Sequence, residues 1–197
     1  MSAYTYRVRS QPDYPDFQWD RRGSRHLLVL CGLDNSAAQQ IAREACPGPL
    51  QVLASPGECA DLARLLAASG AASESVASAE ALQGRLDALL GQARMGLRLY
   101  AVGPEHDIWR CAGLANQHGM SREEVHVYRA GTLARPVFCV HCGTHLPAVR
   151  TNIGSCSGCG RALLVRDHFS RLHGAYMGIQ ADAETPGVLP PIEEVFP

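Results

Sequence analysis

Residues 26–36 read HLLVLCGLDNS. The apolar run closed by Gly32 has the length of a strand buried on both faces. Asp34, Asn35 and Ser36 then supply the short polar side chains that cap a helix N-terminus. A strand that turns into a helix opens a βαβ unit, and a parallel sheet follows if the pattern repeats. It repeats along the next hundred residues. Leu50-Gln51-Val52-Leu53-Ala54 is a second short strand. Ser55-Pro56 then gives an N-cap with proline at the first helical position, and Leu62, Leu65 and Leu66 share one helical face before Gly70. A weak strand falls near Val76, and Ala79 to Leu90 carries Leu82, Leu86, Leu89 and Leu90 at helical spacing. Leu97 to Val102 forms the next strand and ends at Gly103-Pro104; a helix then runs through Ile108, Cys111 and Ala115 to Gly119, which suits the left-handed position past a helix end. Glu124 to Arg129 alternates as a last strand. The fold class is α/β, a Rossmann-like parallel sheet domain over residues 26–131.

The flanks differ in kind. Residues 1–25 are polar, carry Tyr4, Tyr6, Tyr14, Phe17 and Trp19, and hold no sustained period. They read as an irregular arm, either a strap over its own domain or a docking arm whose aromatics engage a partner. Residues 132–168 form a second module. There Cys139-Val140-His141-Cys142-Gly143 and Cys156-Ser157-Gly158-Cys159-Gly160 are two CxxCG knuckles separated by thirteen residues. Cysteines three apart bring two thiolates to one metal in a tight turn, and the glycine after the second tolerates positive φ. Two such turns complete a tetrahedron of Cys139, Cys142, Cys156 and Cys159. The flanking runs Pro136-Val137-Phe138 and Ala162 to Val165 are short and β-prone, as in a small C-terminal zinc ribbon that depends on its metal to fold. Four thiolates without an open position suit structural zinc; iron in the same cage and a thiol redox pair are the alternatives. His141 and His145 lie within the module, but four cysteines already complete a site. Residues 169–197 are expected to form an extended C-terminal tail, with four prolines from Ala183 onward, able to pack on a neighbour.

Composition narrows the function. Of 197 residues, all 18 basic ones are arginine and 19 are acidic, for a formal charge of -1. A duplex-binding domain normally carries a basic excess, so no nucleic-acid partner is expected. No apolar stretch approaches the roughly 18 to 20 residues a membrane helix needs, and the start MSAYTYRVRSQPDYPDF lacks the apolar core of a signal peptide. A cytoplasmic chain with no membrane partner is expected, in which eight cysteines serve as metal thiolates rather than disulfides. Cys31, Cys46, Cys59 and Cys111 are scattered singly and read as small buried hydrophobes. Cys31 stands out because it ends the first strand, at the edge where open α/β sheets bind ligands. No paired carboxylates, Ser/His/Asp set or phosphate loop with lysine is present, so no catalytic residue is expected.

Two resemblances add to this reading. Leu99-Tyr100-Ala101-Val102-Gly103-Pro104, the helix after it and then Gly119 to Val127 resemble the end of a ferredoxin-reductase nicotinamide domain, where a strand ends in Cys-Gly-Pro. The resemblance implies a nicotinamide-type site at Gly32, Gly103 and Pro104. The family's glycine-rich pyrophosphate turn is here Cys31-Gly32-Leu33-Asp34-Asn35-Ser36. Asp34 sets negative charge where a phosphate would approach, so tight NADPH binding by the isolated chain is not expected.

The paired knuckles, followed by Leu164-Val165-Arg166-Asp167-His168-Phe169-Ser170-Arg171 and Ala175 to Glu184, resemble the small zinc-containing subunit of bacterial dimethylamine monooxygenase. That resemblance implies a non-catalytic zinc subunit in a multi-subunit, haem-dependent enzyme that uses NADPH and dioxygen to convert dimethylamine into methylamine and formaldehyde. It also implies partners: a haem-containing oxygenase subunit and a reductase subunit with FMN and an iron–sulfur cluster. His168 and His173 invite a haem-ligand reading through near-helical spacing, but the resemblance puts haem in another subunit and favours docking contacts. Asp167, His168 and Arg171 would form a charged contact patch. The rival functions are an NADPH-binding half of a split reductase and a zinc-ribbon adaptor for nucleic acid or protein.

Overall fold

The computed structural model describes residues 10–55, 58–68 and 70–197. Two compact units emerge, Tyr14–Ala134 and the C-terminal residues from Arg135 together with the N-terminal stretch up to Asp13.

In the first unit, β1 (Arg25–Leu30), α1 (Asn35–Arg43), β2 (Leu50–Ala54), α2 (Glu58–Ala68) and β3 (Ala72–Ser75) lead through α3 (Ala79–Gly91) to β4 (Leu97–Gly103), α4 (Glu105–Gln117) and β5 (Val125–Arg129). The sheet order is β3-β2-β1-β4-β5 and all pairs are parallel. Period-2 alternation explains the two layers. Leu28, Leu30, Val52, Ala54, Tyr100 and Val102 face α1 and α2, where Ile41, Cys59, Leu62 and Ala63 complete one core. Leu27, Val29, Leu53, Leu99 and Ala101 face the opposite way, against Leu82, Leu86 and Leu90 of α3 and Ile108, Cys111 and Ala115 of α4. Each of the four consecutive apolar residues of β1 is buried, a contribution of about 1.5–3 kcal/mol per side chain. The strand order reverses between β1 and β4, so their C-terminal ends form the sheet's switch point.

The elements fall close to expectation. Asp34 caps α1, Ser78 caps α3, and Gly119 adopts φ +80 after α4. Tyr4, Tyr6 and Pro56 lie outside the described residues. The aromatics from Tyr14 to Trp19 follow the strap reading. Trp19 is buried in the first core with its indole donating to Glu44 O at 3.0 Å, and its ring lies 4.8 Å from those of Phe17 and Tyr100. Asp20 ends the strap by accepting from Arg98 Nε at 2.9 Å, and its backbone amide donates to Tyr100 Oη at 3.0 Å.

The second unit holds β6 (Arg135–Cys139), β7 (His145–Val149), β8 (Ile153–Ser155), β9 (Ala162–Ser170) and β10 (Ala175–Gln180), in the order β7-β6-β10-β9-β8. The expected boundary at 168 does not hold. β9 continues to Ser170, and residues 175–180, expected within an extended tail, form the central strand. The physical reason is the sheet edge. Two separate hairpins leave β6 and β9 each with a row of unpaired backbone groups, and β10 satisfies both, parallel to β6 and antiparallel to β9. Gly178 allows the close fit, since a Cβ there would lie 2.7 Å from Val137 Cγ1 and 3.1 Å from Leu163 Cδ1. Among the described residues, no helix is long and apolar enough to cross a membrane.

Candidate metal centre and the sheet switch point

The β6–β7 hairpin carries the first knuckle and the β8–β9 hairpin the second. They repeat one geometry. Cys139 O accepts from Gly143 N at 2.9 Å, and Cys156 O accepts from Gly160 N at 2.9 Å. Gly143 and Gly160 adopt φ +77 and +72, the left-handed conformation their spacing predicted. A second bond closes each turn, from Cys139 N to Thr144 O and from Cys156 N to Arg161 O, both 2.9 Å.

These turns bring all four expected ligands together. Cys139, Cys142, Cys156 and Cys159 hold their sulfurs within 4.8 Å of one another. Cys139 and Cys159 are 3.8 Å apart at sulfur, Cys142 and Cys156 3.5 Å. A tetrahedron with metal–sulfur bonds of about 2.3 Å has edges of about 3.8 Å, so the cage fits a metal ion. The surroundings treat the thiols unequally. The Thr144 hydroxyl, 3.2 Å from Cys142 Sγ, and the Thr144 amide pull the Cys142 thiol down to about 6. The amide and guanidinium of Arg161 likewise lower Cys159. Burial pushes Cys139 up to about 11. Two sulfurs on the open side thus favour the thiolate, and a bound ion would supply the charge that deprotonates Cys139.

The histidines stand outside this cage. His141 and His145 are exposed. His168 lies exposed on β9 and His173 follows in the β9–β10 turn, so the helical spacing read from the sequence does not apply. The His173 ring instead stacks on Phe138 at 3.9 Å between centroids, with His145 edge-on to the same phenyl at 5.1 Å. Asp167, His168 and Arg171 are each exposed, Asp167 pairs with Arg135 at 2.7 Å, and Asp167 and His168 point to opposite faces of β9.

In the α/β unit, Gly32, Gly103 and Pro104 meet at the switch point. Gly103 adopts φ +150, and a Cβ there would lie 2.8 Å from Cys31 Cβ and 3.0 Å from Gly32 N; a Cβ on Gly32 would lie 3.1 Å from Pro104 Cδ. Gly103 is required by this close approach of two loops, and Gly32 is held tightly against Pro104. Cys31 Sγ lies 3.8 Å from Cys111 Sγ, and that neighbouring thiol together with burial pushes the Cys31 thiol well up, into its unreactive protonated form.

Two helices begin at the switch point; the N-terminus of α1 meets the Asp34 carboxylate, and the first turn of α4 carries Glu105. Asp34 accepts from Ala37 N at 2.7 Å and from Gly131 N at 3.4 Å, and these amides hold its carboxyl below the ordinary range. Glu105, fully buried in the first turn of α4, accepts from the Tyr14 hydroxyl. Tyr14 Oη also accepts from Trp109 Nε1 at 2.8 Å, and the Arg129 guanidinium lies 5.0 Å above the Tyr14 ring. What remains is a cleft of about 140 Å³ lined in part by Tyr14, Asp16, Phe17, Asp34, Gln40 and Arg129. Pockets for small molecules and cofactors run from about 300 to 1,000 Å³. Sequence reasoning identified Asp34 but missed Tyr14, Glu105 and Arg129, whose partners are 91 to 115 residues away in the chain. Thr144 and Gly158, which shape the metal cage, were legible only as spacer positions.

A doubly wound α/β domain and a four-cysteine ribbon in one chain define a two-module class of protein, with a cage able to hold a metal in one module and a narrowed switch point in the other. Family comparison gives the particular case. The N-terminal domain of the dimethylamine monooxygenase subunit DmmA-like family matches residues 6–125, and its C-terminal domain matches residues 136–179. The chain belongs to this family. It is 35% identical over 191 residues, 96% of this chain and 99% of the relative, to the heme-dependent oxidative N-demethylase delta subunit of Ectopseudomonas mendocina (strain ymp). Among solved structures, phthalate dioxygenase reductase aligns with 72% of this chain and 49% of its own, at 16% identity and TM-score 0.42. Full-length CYP116B46 from Tepidiphilus thermophilus aligns with 69% of this chain and 20% of its own, at 20% identity and TM-score 0.38. The chain thus spans about half the length of the first and a fifth of the second.

Proposed function

We propose that this chain is a non-catalytic subunit of a cytoplasmic haem-dependent oxidative N-demethylase, which uses NADPH and dioxygen to convert dimethylamine into methylamine and formaldehyde. The observation that carries the reading is the 35% identity across 96% of the chain to a heme-dependent oxidative N-demethylase delta subunit. In this reading haem resides in an oxygenase subunit, FMN and an iron–sulfur cluster reside in a reductase subunit, and this chain organises the two. Zinc occupies Cys139, Cys142, Cys156 and Cys159, a set of four thiolates that leaves no open position for chemistry.

The closed switch point supports a docking role for the α/β unit over nucleotide binding. A pyrophosphate at Gly32 would have to displace Asp34 from the amides of Ala37 and Gly131 and enter a cleft that already holds the Asp16 and Asp34 carboxylates. The same features weigh against a split reductase in which this chain binds NADPH. The test is purification of the tagged chain from its host. Expected are co-purifying subunits with haem and flavin absorption, and about one zinc per chain by elemental analysis. A chain that emerges alone, or that carries haem, flavin or iron after separation from its partners, contradicts the proposal.

A further inference from the structure

The C-terminal residues after β10 combine a fixed path with an exposed apolar surface. Val188, Leu189 and Ile192 are 62%, 45% and 61% exposed. Yet the segment is pinned at both ends. At one end Gly187 N donates to Asp182 Oδ2 at 2.9 Å and Val188 N to Thr185 O at 3.0 Å. At the other, Asn152 Nδ2 donates to Pro191 O and Glu193 N donates back to Asn152 Oδ1, both at 2.9 Å, while Asn152 N donates to Glu193 O at 3.0 Å. Val195 N and Phe196 N then both donate to Arg150 O, and the Arg135 guanidinium lies 4.0 Å from the Phe196 ring centroid and 4.2 Å from that of Tyr176.

Between these anchors runs Val188-Leu189-Pro190-Pro191-Ile192. Its two prolines donate no backbone hydrogen bond and restrict the chain to extended conformations. A free tail with this composition would pay for ordering on binding; a pinned one has already lost most of that entropy. Its own charge is one-sided, with Glu194 paired to Arg150 at 3.6 Å and Glu184 and Glu193 left to face a partner. Residues 182–197 contain Asp182, Glu184, Glu193 and Glu194 and no basic residue.

We infer that Val188–Ile192 is a preorganised docking peptide for another subunit of the complex, one that presents an apolar, aromatic-lined groove with an arginine or lysine rim. Extended proline-bearing segments are recognised by such grooves, and the flanking carboxylates complement a basic rim. The inference rests on the subunit reading above.

The test uses the full chain in the complex purified from its host. Leu189→Ser with Ile192→Ser changes only exposed side chains, so zinc content and melting temperature stay at wild-type values while affinity for the haem-bearing assembly falls at least tenfold. Asn152→Ala loosens the anchor without touching the peptide and lowers the affinity about three- to tenfold. Glu184→Gln with Glu193→Gln weakens binding at low salt, and the difference from wild type shrinks as salt rises. A serine double variant that stays in the complex with wild-type affinity overturns the docking peptide and leaves the subunit reading intact. A wild-type chain that self-associates through this segment in sedimentation identifies a second copy as the occupant and also overturns it. If the wild-type chain joins no haem-bearing assembly at all, both readings fall together.

Discussion

A methyl group added to Gly158, inside the second knuckle, would land 2.1 Å from Thr144 Oγ1, 3.1 Å from Thr144 Cβ and 3.2 Å from Cys142 Sγ. No Cβ fits there without moving the Thr144 hydroxyl, the group that favours the thiolate of Cys142. Gly158→Ala therefore removes the hydroxyl–thiolate contact without altering a ligand. A hydrogen bond to a charged group contributes about 1.5–3 kcal/mol, or a factor of about 10 to 150 in metal affinity. Loss of a partner that supports a metal ligand typically costs a similar 10- to 100-fold. Thr144→Ala deletes the same contact by a different route, so the pair should be strongly non-additive. The double variant should bind zinc about as tightly as Gly158→Ala alone, whose Cβ also crowds Cys142 Sγ at 3.2 Å. Competition against a chromophoric chelator measures all four affinities on one scale. Additive losses, or a Gly158→Ala chain that holds zinc like the wild type, would refute the link between Gly158, Thr144 and Cys142.

Other perturbations probe separate parts of the molecule. Asp34→Ala should lower stability by about 0.5–2 kcal/mol through the lost α1 cap and still give no measurable NADPH binding by calorimetry, because the cleft lined by Tyr14 and Phe17 stays small; low-micromolar binding would show that Asp34 alone closes the site. Gly178→Ala should destabilise the ribbon by about 1–3 kcal/mol in denaturant, since the new Cβ meets Val137 and Leu163. Burial lowers His26 and His126 below their ordinary value of 6.5. The unfolded chain then binds more protons, so their contribution is complete above about pH 6.5 and is lost as pH falls below it, by up to about 1.4 kcal/mol per pH unit for each histidine. Denaturant unfolding followed by the fluorescence of Trp19 and Trp109 should show this slope, and His26→Gln should reduce it.

The doubly wound sheet was legible because its signals are local. Each strand is a short apolar run, each helix carries its own cap or apolar stripe, and the order of elements decides the topology. The four cysteines were legible for the same reason, since CxxCG encodes a turn and two ligands within five residues. What escaped the sequence depends on distant pairing. β10 looks unremarkable as Ala175-Tyr176-Met177-Gly178-Ile179-Gln180, and only the two unfilled edges of β6 and β9 make it the central strand. The closure of the switch point was half legible. Asp34 could be read as hostile to phosphate from its place after the first strand, whereas Tyr14 gains its meaning only from Glu105, Trp109 and Arg129, which touch it from much later in the chain.

The most direct test of the proposed role is dimethylamine-dependent formaldehyde production by the complex with and without this chain, at saturating NADPH and dioxygen. Expected is loss of coupled turnover when the chain is absent and restoration on adding it back with zinc bound. The Asp34→Ala chain should restore turnover equally well, because no nucleotide passes through its switch point. Full turnover by the remaining subunits alone, or restoration by the wild-type chain but not by Asp34→Ala at equal assembly, would contradict a non-catalytic organising subunit.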